Sequence, residues 1–197
     1  MFRKKEKNTN KNNAGFGLIE LLVSISILVL VMSIIMFKHS SFNSAVLLRG
    51  QAYKLALHAR EVQLNAVSVL GEGGDFRQIY GLYFDTSTPK STYTVFKDKV
   101  TYNYFYNAGE EDFSERGILD ARFAIDEISF VGSSFSSDKV SVVFERPNFD
   151  ARFFSGEDTE VDASAVEIRI RLKGSSGTSI GEIKTVEITK TGQISVK

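Results

Sequence analysis

Residues 15–37 read GFGLIELLVSISILVLVMSIIMF, and this stretch decides how the rest of the chain is interpreted. From Phe16 to Phe37 the only charged residue is Glu20, close to the start of the run. At about 1.5 Å per residue, these 22 residues can cross a hydrocarbon core of about 30 Å as one helix. A carboxylate in hydrocarbon costs about 2.5–3.5 kcal/mol, so we expect Glu20 to have a role and a partner.

The charges on either side of the run predict its orientation in a membrane. The preceding residues carry a net charge of +4, from Arg3, Lys4, Lys5, Lys7 and Lys11 against Glu6. Positive charge is retained on the cytoplasmic side of a membrane segment. We therefore expect the N-terminus in the cytoplasm and everything after Lys38 on the other side.

Two ordinary kinds of membrane segment fit the run incompletely. A secretory signal has an apolar region of about 7–15 residues followed by a small-x-small cleavage site, whereas this run is longer and residues 37–43 offer no such site. A plain single-pass anchor has the right length. Glu20 would then reach the lipid headgroups from about one turn inside the membrane. That alternative gives Glu20 no function.

The string from Gly15 to Val23, GFGLIELLV, resembles the class III signal of type IV prepilins and pseudopilins. The resemblance implies cleavage between Gly15 and Phe16 by a prepilin peptidase, N-methylation of Phe16, and an assembly role for Glu20. It also implies other pilin or pseudopilin subunits and an inner-membrane assembly platform as partners. Two departures are Gly17, where the family often has Thr, and the absence of a proline from the run. The second departure favours a pseudopilin or minor pilin over a major pilin.

The chemistry of this processing accounts for the position of Glu20. Cleavage leaves an ammonium at the start of an apolar helix, and a lone charge there is costly. The carboxylate of a neighbouring subunit neutralises it, and the pair fixes the axial register between subunits. Such a buried pair acts more as a specificity device than as a source of net stability.

The chain behind the run has the composition of one exported domain. The 182 residues after Gly15 carry a net charge of −4, since the whole chain is formally neutral, and they contain no cysteine. The exported part is thus expected to fold without disulfides, and thiol chemistry and cysteine-based metal sites are excluded.

A second helical pattern follows the apolar run. Apolar residues recur at spacings of four and three residues: Leu48, Ala52, Leu55, Ala59, Val62, Ala66 and Val69. Lys54, His58, Arg60, Glu61 and Gln63 lie largely off this stripe, and Gly71, Gly73 and Gly74 are expected to end the helix. The stripe predicts packing on a sheet. A coiled-coil seam is the alternative, but three of its seven members are alanine and it spans only about three heptads.

The remaining sequence predicts an antiparallel sheet. Short runs rich in β-branched and aromatic residues are predicted as strands over residues 79–84, 93–96, 100–106, 128–131, 140–144, 166–172, 185–189 and 193–196. No helical crossover separates them. The expected fold class is therefore α+β: a long N-terminal helix packed on an antiparallel β-sheet, as in pilins. Residues 52–56, 60–66, 80–84, 93–98 and 188–194 also resemble H-type minor pseudopilins.

Few residues suggest catalysis or cofactor binding. His39 and His58 stand without a triad pattern, and no P-loop, HExxH or dinucleotide fingerprint is present. We expect no enzyme activity, no cofactor and no metal site. Two acidic loops, with Glu110, Glu111, Asp112 and Glu115 in one and Asp150, Glu157, Asp158, Glu160 and Asp162 in the other, lack regular calcium-ligand spacing and are interpreted as solvated loops.

Arg169 and Arg171 are the candidate nucleic-acid contacts, because they alternate onto one strand face with Lys173 close by. Glu167 shares that face and the mature chain is acidic, so an ordinary solvated face is favoured and nucleic acid is not an expected partner.

The sequence thus predicts a structural subunit of a type IV pilus or a type II secretion-like pseudopilus. Four segments are expected: a cleaved leader 1–15, a membrane and filament-core helix 16–37, an amphipathic helix 38–70, and a β domain 71–197. The expected location is the cytoplasmic membrane, then a filament at the cell surface or in the periplasm. The alternatives are a DNA-capturing or adhesive minor pilin and a plain anchored exported domain.

Overall fold

The structure is a computed structural model that describes residues 17–68, 79–87, 91–98, 103–107, 115–144, 147–174 and 183–197. The side chains of residues 37–42, 115 and 116 lie outside this description. The described residues contain one helix, α1 (Leu18–Val67). They also contain ten strands: β1 (Ile79–Asp85), β2 (Thr92–Asp98), β3 (Glu115–Ile118), β4 (Phe123–Val131), β5 (Lys139–Phe144), β6 (Ala151–Gly156), β7 (Thr159–Glu160), β8 (Ala165–Leu172), β9 (Ile183–Thr189) and β10 (Ile194–Val196).

The chain divides into two compact units, Met1–Phe42 and Asn43–Lys197. In the first unit, the described residues form the beginning of α1. Residues Leu18–Met36 have a mean hydropathy of 2.8, and by length and composition they can cross a membrane. The Ser24, Ser26 and Ser33 hydroxyls donate to the carbonyl oxygens four residues earlier at 2.7–2.8 Å. These polar groups are thus satisfied within the helix, as a lipid environment requires.

In the second unit, the end of α1 supplies one side of the core. Leu48, Ala52, Leu55, Ala59, Val62 and Ala66 are all at most 1% exposed and pack with both sheets in a single cluster. The predicted apolar stripe is therefore confirmed as an intrachain packing face, and the coiled-coil alternative is wrong. Val69 and the glycines 71, 73 and 74 lie outside the described residues.

The strands form two antiparallel sheets, so the α+β fold class is confirmed while the expectation of one sheet needs correction. One sheet has six strands in the order β3-β2-β1-β5-β6-β7 and the other has four in the order β10-β9-β8-β4. The chain leaves the second sheet after β4, where Gly132 adopts a positive φ of 81°. It returns after β7 through Ser164, whose backbone N–H donates to the Val131 carbonyl at 2.8 Å.

One predicted strand, over residues 100–106, is wrong in the part that the structure describes. Residues 103–107 form a loop in which Tyr104 has a φ of 62°, incompatible with a strand. The side chains of the preceding residues hold it: the Tyr104 N–H donates to Asp98 Oδ2 at 2.8 Å, and the Phe105 N–H donates to Asn103 Oδ1 at 3.1 Å. Side-chain acceptors thus replace the hydrogen bonds of a sheet ladder.

The aromatic side chains of this loop cover the face of the six-stranded sheet opposite α1. There they form an outer aromatic cluster, which comprises Ile79, Phe96, Val143 and Phe154 with Tyr83, Tyr104, Phe105 and Tyr106 packed on them. Tyr104 and Phe154 stack with ring centroids 4.9 Å apart. This face is therefore a second small core.

Tyr83 in this cluster provides a test at alkaline pH. Burial raises the pKa of Tyr83 to about 12, with Asp85 and Tyr106 contributing. Because the unfolded tyrosine titrates near pH 10, the unfolded state loses its proton first. We expect the Tyr83 contribution to be complete below about pH 10 and to be lost as the pH rises towards about 12. The measurement is the denaturant midpoint of unfolding against pH.

Tyr83→Phe should show a shallower loss of stability between about pH 10 and 12 than the unaltered chain. Tyr53→Phe, which changes a half-exposed tyrosine on α1, is the matched control and should follow the unaltered chain. Equal pH profiles for all three proteins would contradict the role assigned to Tyr83.

Candidate processing and assembly site

The predicted scissile bond, between Gly15 and Phe16, lies outside the described residues. The described residues begin at Gly17, and the first hydrogen bonds of α1 run from the Glu20 and Leu21 N–H groups to the Gly17 carbonyl, at 3.0 and 3.2 Å. The proposed mature N-terminus at Phe16 would therefore stand two residues before the helix begins. A free ammonium there would lie within about one helical turn of Glu20 along the sequence.

Glu20 occupies the first turn of α1 and is exposed. A carboxylate at a helix N-terminus is favoured by the helix dipole, so this position is locally stable. Among the described residues Glu20 makes no ion pair, and its neighbours Ile19 and Leu21 are 76% and 56% exposed. The acid is thus a single charge at one end of an apolar surface.

The whole candidate membrane span presents its side chains outward. Every described residue from Gly17 to Met36 is exposed. An apolar surface of this extent requires either lipid or other protein as its surroundings. This is the environment in which a lone carboxylate needs a counter-charge.

A family model matches this segment. The model is described as a prokaryotic N-terminal methylation motif, and it covers residues 10–36. The N-terminus is a type IV prepilin-like class III signal. The match includes Gly15, Phe16 and Glu20 and ends at the last residue of the candidate span. No curated protein and no solved structure matches the chain. The family match bears on residues 10–36.

The two candidate nucleic-acid residues lie on the outward face of the four-stranded sheet, and both form ion pairs with acidic side chains. Arg169 on β8 pairs with Glu127 on β4, and the Arg171 Nη2 lies 2.5 Å from Asp126 Oδ1. Farther along the same face, Lys197 Nζ bridges Glu167 and Glu187 at 2.8 and 2.7 Å. The face is therefore compensated pair by pair, and an unopposed basic stripe for phosphates is not what these residues form.

Two acids of the second acidic loop, Glu160 and Asp162, are paired with cations. Glu160 accepts two hydrogen bonds from the Arg152 guanidinium, which hold the pKa of that carboxyl below its usual range. Lys190 likewise lowers the pKa of Asp162. Within the residues that the structure describes, no group of three potential metal ligands occurs. Glu110, Glu111, Asp112 and the side chain of Glu115 lie outside that description.

Of the two histidines, His58 has a defined partner in the structure, and the His39 side chain lies outside the described residues. His58 is half-buried, and its Nδ1 lies 2.8 Å from the Tyr93 hydroxyl, with the two rings edge to face. His58 thus joins α1 to β2 and is more than the helix-surface residue expected from the sequence.

Two features of α1 were missed in the sequence. Gln63 was expected off the buried face, yet it is only 8% exposed, and its Nε2 donates to the carbonyls of Phe149 and Gly192 at 2.7 and 2.9 Å. The second feature is an exposed apolar face formed by Val46, Tyr53, Leu57 and Leu64. Their spacing of seven, four and seven residues is a helical signal that could have revealed it.

Proposed function

We propose that this chain is a structural subunit of a type IV pilus or a type II secretion-like pseudopilus. Prepilin peptidase cleaves it between Gly15 and Phe16, and Phe16 is then N-methylated. The match of residues 10–36 to the methylation motif carries this proposal, together with the exposed apolar start of α1. The subunit enters the cytoplasmic membrane with its N-terminus in the cytoplasm, as the basic leader predicts.

Glu20 is the proposed assembly residue. In the membrane and in the filament, its carboxylate meets the N-terminal ammonium of a neighbouring subunit. One buried charge pair then replaces two separately buried charges. The position of Glu20 in the first turn, beside the proposed new N-terminus, supports this role.

The subunit acts without catalysis or a cofactor in this proposal. Its partners are prepilin peptidase, other pilin or pseudopilin subunits, and the inner-membrane assembly platform. The lack of a proline in the membrane run and of cysteine in the domain supports a minor subunit, and the H-type pseudopilins are the proposed subgroup.

The function is tested by where the processed chain accumulates. In the native host, material sheared from the cell surface or released from the periplasm should contain the chain without residues 1–15. A strain that lacks prepilin peptidase should retain the uncut chain in the membrane fraction. Equal release in both strains would contradict the proposal.

DNA capture is the alternative function, and it would require Arg169 and Arg171 to bind phosphates. Because Arg169 and Arg171 already face Glu127 and Asp126, we expect no salt-dependent binding of the chain to duplex DNA, even at about 50 mM salt. Fluorescence anisotropy of a labelled duplex measures this. Binding by the unaltered chain that disappears in an Arg169→Ala, Arg171→Ala variant would support DNA capture instead.

A further inference from the structure

A groove of about 350 Å³ lies between β6 and the end of β9, at a junction of the two sheets. Five polar side chains line it: Asn148, Asp150, Arg152, Glu160 and Lys190. Arg152 and Glu160 belong to β6 and β7 of the six-stranded sheet, whereas Lys190 follows β9 of the four-stranded sheet. Sites for small ligands have volumes of about 300–1,000 Å³. The groove is therefore large enough to hold a small molecule.

The backbone on both sides of the groove is held in place. The Ala151 N–H donates to the Lys190 carbonyl at 2.9 Å, which joins the start of β6 to the residue after β9. The buried Gln63 amide donates to the carbonyls of Phe149 and Gly192, which lie in the chain within two residues of the lining residues. The shape of the groove is thus fixed by the fold, so a ligand would not have to order it.

One wall of the groove is a fixed ion pair. The Arg152 guanidinium donates to both oxygens of Glu160, at 3.1 and 2.8 Å. It also lies over the Tyr104 and Phe154 rings, 4.6 and 5.0 Å from their centroids. Tyr104 has a φ of 62°, and sparsely populated conformations of this kind cluster at ligand sites and active sites. Since a carboxylate accepts up to about four hydrogen bonds, Glu160 keeps acceptor capacity towards the groove.

Asp150 and Lys190 also keep hydrogen-bonding capacity for a ligand. Asp150 is exposed, and among the described residues its carboxylate accepts only from Asn148 Nδ2, at a long 3.4 Å. Lys190 Nζ donates to Asp162 at 2.9 Å, but the two side chains are 57% and 93% exposed, so this pair is weak. An ammonium also has further donors to offer. Acceptors and donors thus line the same groove.

This combination favours a neutral ligand that both donates and accepts hydrogen bonds. An anion would be repelled by Asp150 and Glu160, and a cation would meet the opposite charges of the groove. A zwitterion would compete with the ion pairs that Arg152 and Lys190 already make. A sugar hydroxyl both donates and accepts, and a sugar ring carries several hydroxyls side by side. Saccharides therefore match the groups that line the groove.

We propose that this groove binds a neutral saccharide, whose hydroxyl groups donate to Asp150 and accept from Lys190. The site goes beyond the proposed filament function and does not depend on it, because none of its residues belongs to the N-terminal signal. A filament that carries this subunit would gain a means of attachment to polysaccharide.

Saturation-transfer difference NMR on the full-length chain in lipid nanodiscs tests the site. The probes are glucose, galactose, mannose and N-acetylglucosamine. At least one should give a signal that empty nanodiscs do not give. Its dissociation constant should be about 1 mM, the scale for a ligand of about twelve to fifteen non-hydrogen atoms. No signal from any of the four would overturn the proposal, as would tighter binding of glycylglycine, a zwitterion, than of every saccharide.

Single substitutions locate the binding. Asp150→Ala and Lys190→Ala should each weaken it by about tenfold, the scale of a hydrogen bond to a charged group. Glu127→Ala is the matched control, because it removes a surface carboxylate that pairs with Arg169 on the outward face of the other sheet, and it should leave the affinity unchanged. Denaturant midpoints check that all three variants keep their fold. Unchanged affinity in either groove variant, or an equal loss in the control, would overturn the proposal.

Discussion

Glu20→Ala is expected to abolish incorporation of the chain into filaments while leaving its insertion into the membrane intact. The change removes a charge from an apolar surface, so insertion becomes no harder. It also leaves the N-terminal ammonium of the neighbouring subunit without a counter-charge. Breaking one partner of a buried pair costs about 3–5 kcal/mol, which is more than a hundredfold in an association constant. The measurement is the amount of processed chain in the sheared or periplasmic filament fraction.

Two further variants separate charge from shape at this position. Glu20→Gln keeps the size and polarity of the side chain and removes only its charge, so it should fail as Glu20→Ala does. Ser26→Ala changes another polar group of the same exposed span, one that bonds only to the Leu22 carbonyl, and should assemble normally. Normal assembly of Glu20→Gln would show that the charge is dispensable and that the assigned role is wrong.

Gly192→Ala is expected to be strongly destabilising to the second unit, Asn43–Lys197. Gly192 has a φ of 78°, and an alanine Cβ there would overlap the Phe149 carbonyl oxygen and lie 2.6 Å from Gln63 Nε2. These atoms form the contact in which Gln63 joins α1 to the loop before β6 and to the turn before β10. We expect a loss of about 3–5 kcal/mol in the free energy of unfolding, from left-handed strain and the disrupted hydrogen bonds of a buried amide.

Gly174→Ala is the matched control for this prediction. Gly174 has nearly the same φ, 79°, but a Cβ added there would meet nothing within 4 Å. Its cost should therefore be the backbone strain alone, about 1–2 kcal/mol. Denaturant unfolding of both variants measures the difference. Equal losses would mean that the contact around Gln63 contributes little to the fold.

The sequence predicted the helix best, because its evidence is local and periodic. The residues from Leu48 to Ala66 alternate at spacings of three and four, and each of them is buried as expected. The same reasoning missed Gln63, since a glutamine can be buried only when carbonyl acceptors are brought to it. Those acceptors, on Phe149 and Gly192, come from loops more than eighty residues away in the sequence.

The strands were harder to predict, because an aromatic-rich segment can form a loop instead of pairing in a β-sheet. Residues 103–106 look like a strand by composition, but Asp98, Asn103 and Ser141 accept their N–H groups and turn them into a loop. Strand β6 was missed for a related reason. It carries Arg152 among its apolar residues, and the guanidinium is accommodated over the Tyr104 and Phe154 rings. Only the tertiary structure brings these partners together.

The N-terminal signal and the arginine face also differ in how far the sequence could predict them. The class III signal lies in consecutive residues, and the match over residues 10–36 includes all of them. The arginine face depends on strand pairing: the partners of Arg169 and Arg171 come from β4, more than forty residues earlier, across an irregularity in the register between Ile125 and Glu127. Sequence alone shows the arginines, whereas the pairing shows that acids face them.

The most direct test is the intact mass of the full-length chain after co-expression with a prepilin peptidase, compared with a Gly15→Ala variant. The account predicts loss of residues 1–15 and gain of one methyl group on Phe16 in the unaltered chain, with neither change in the variant. An uncut chain, or cleavage at another bond, would contradict it and make residues 16–37 an ordinary membrane anchor.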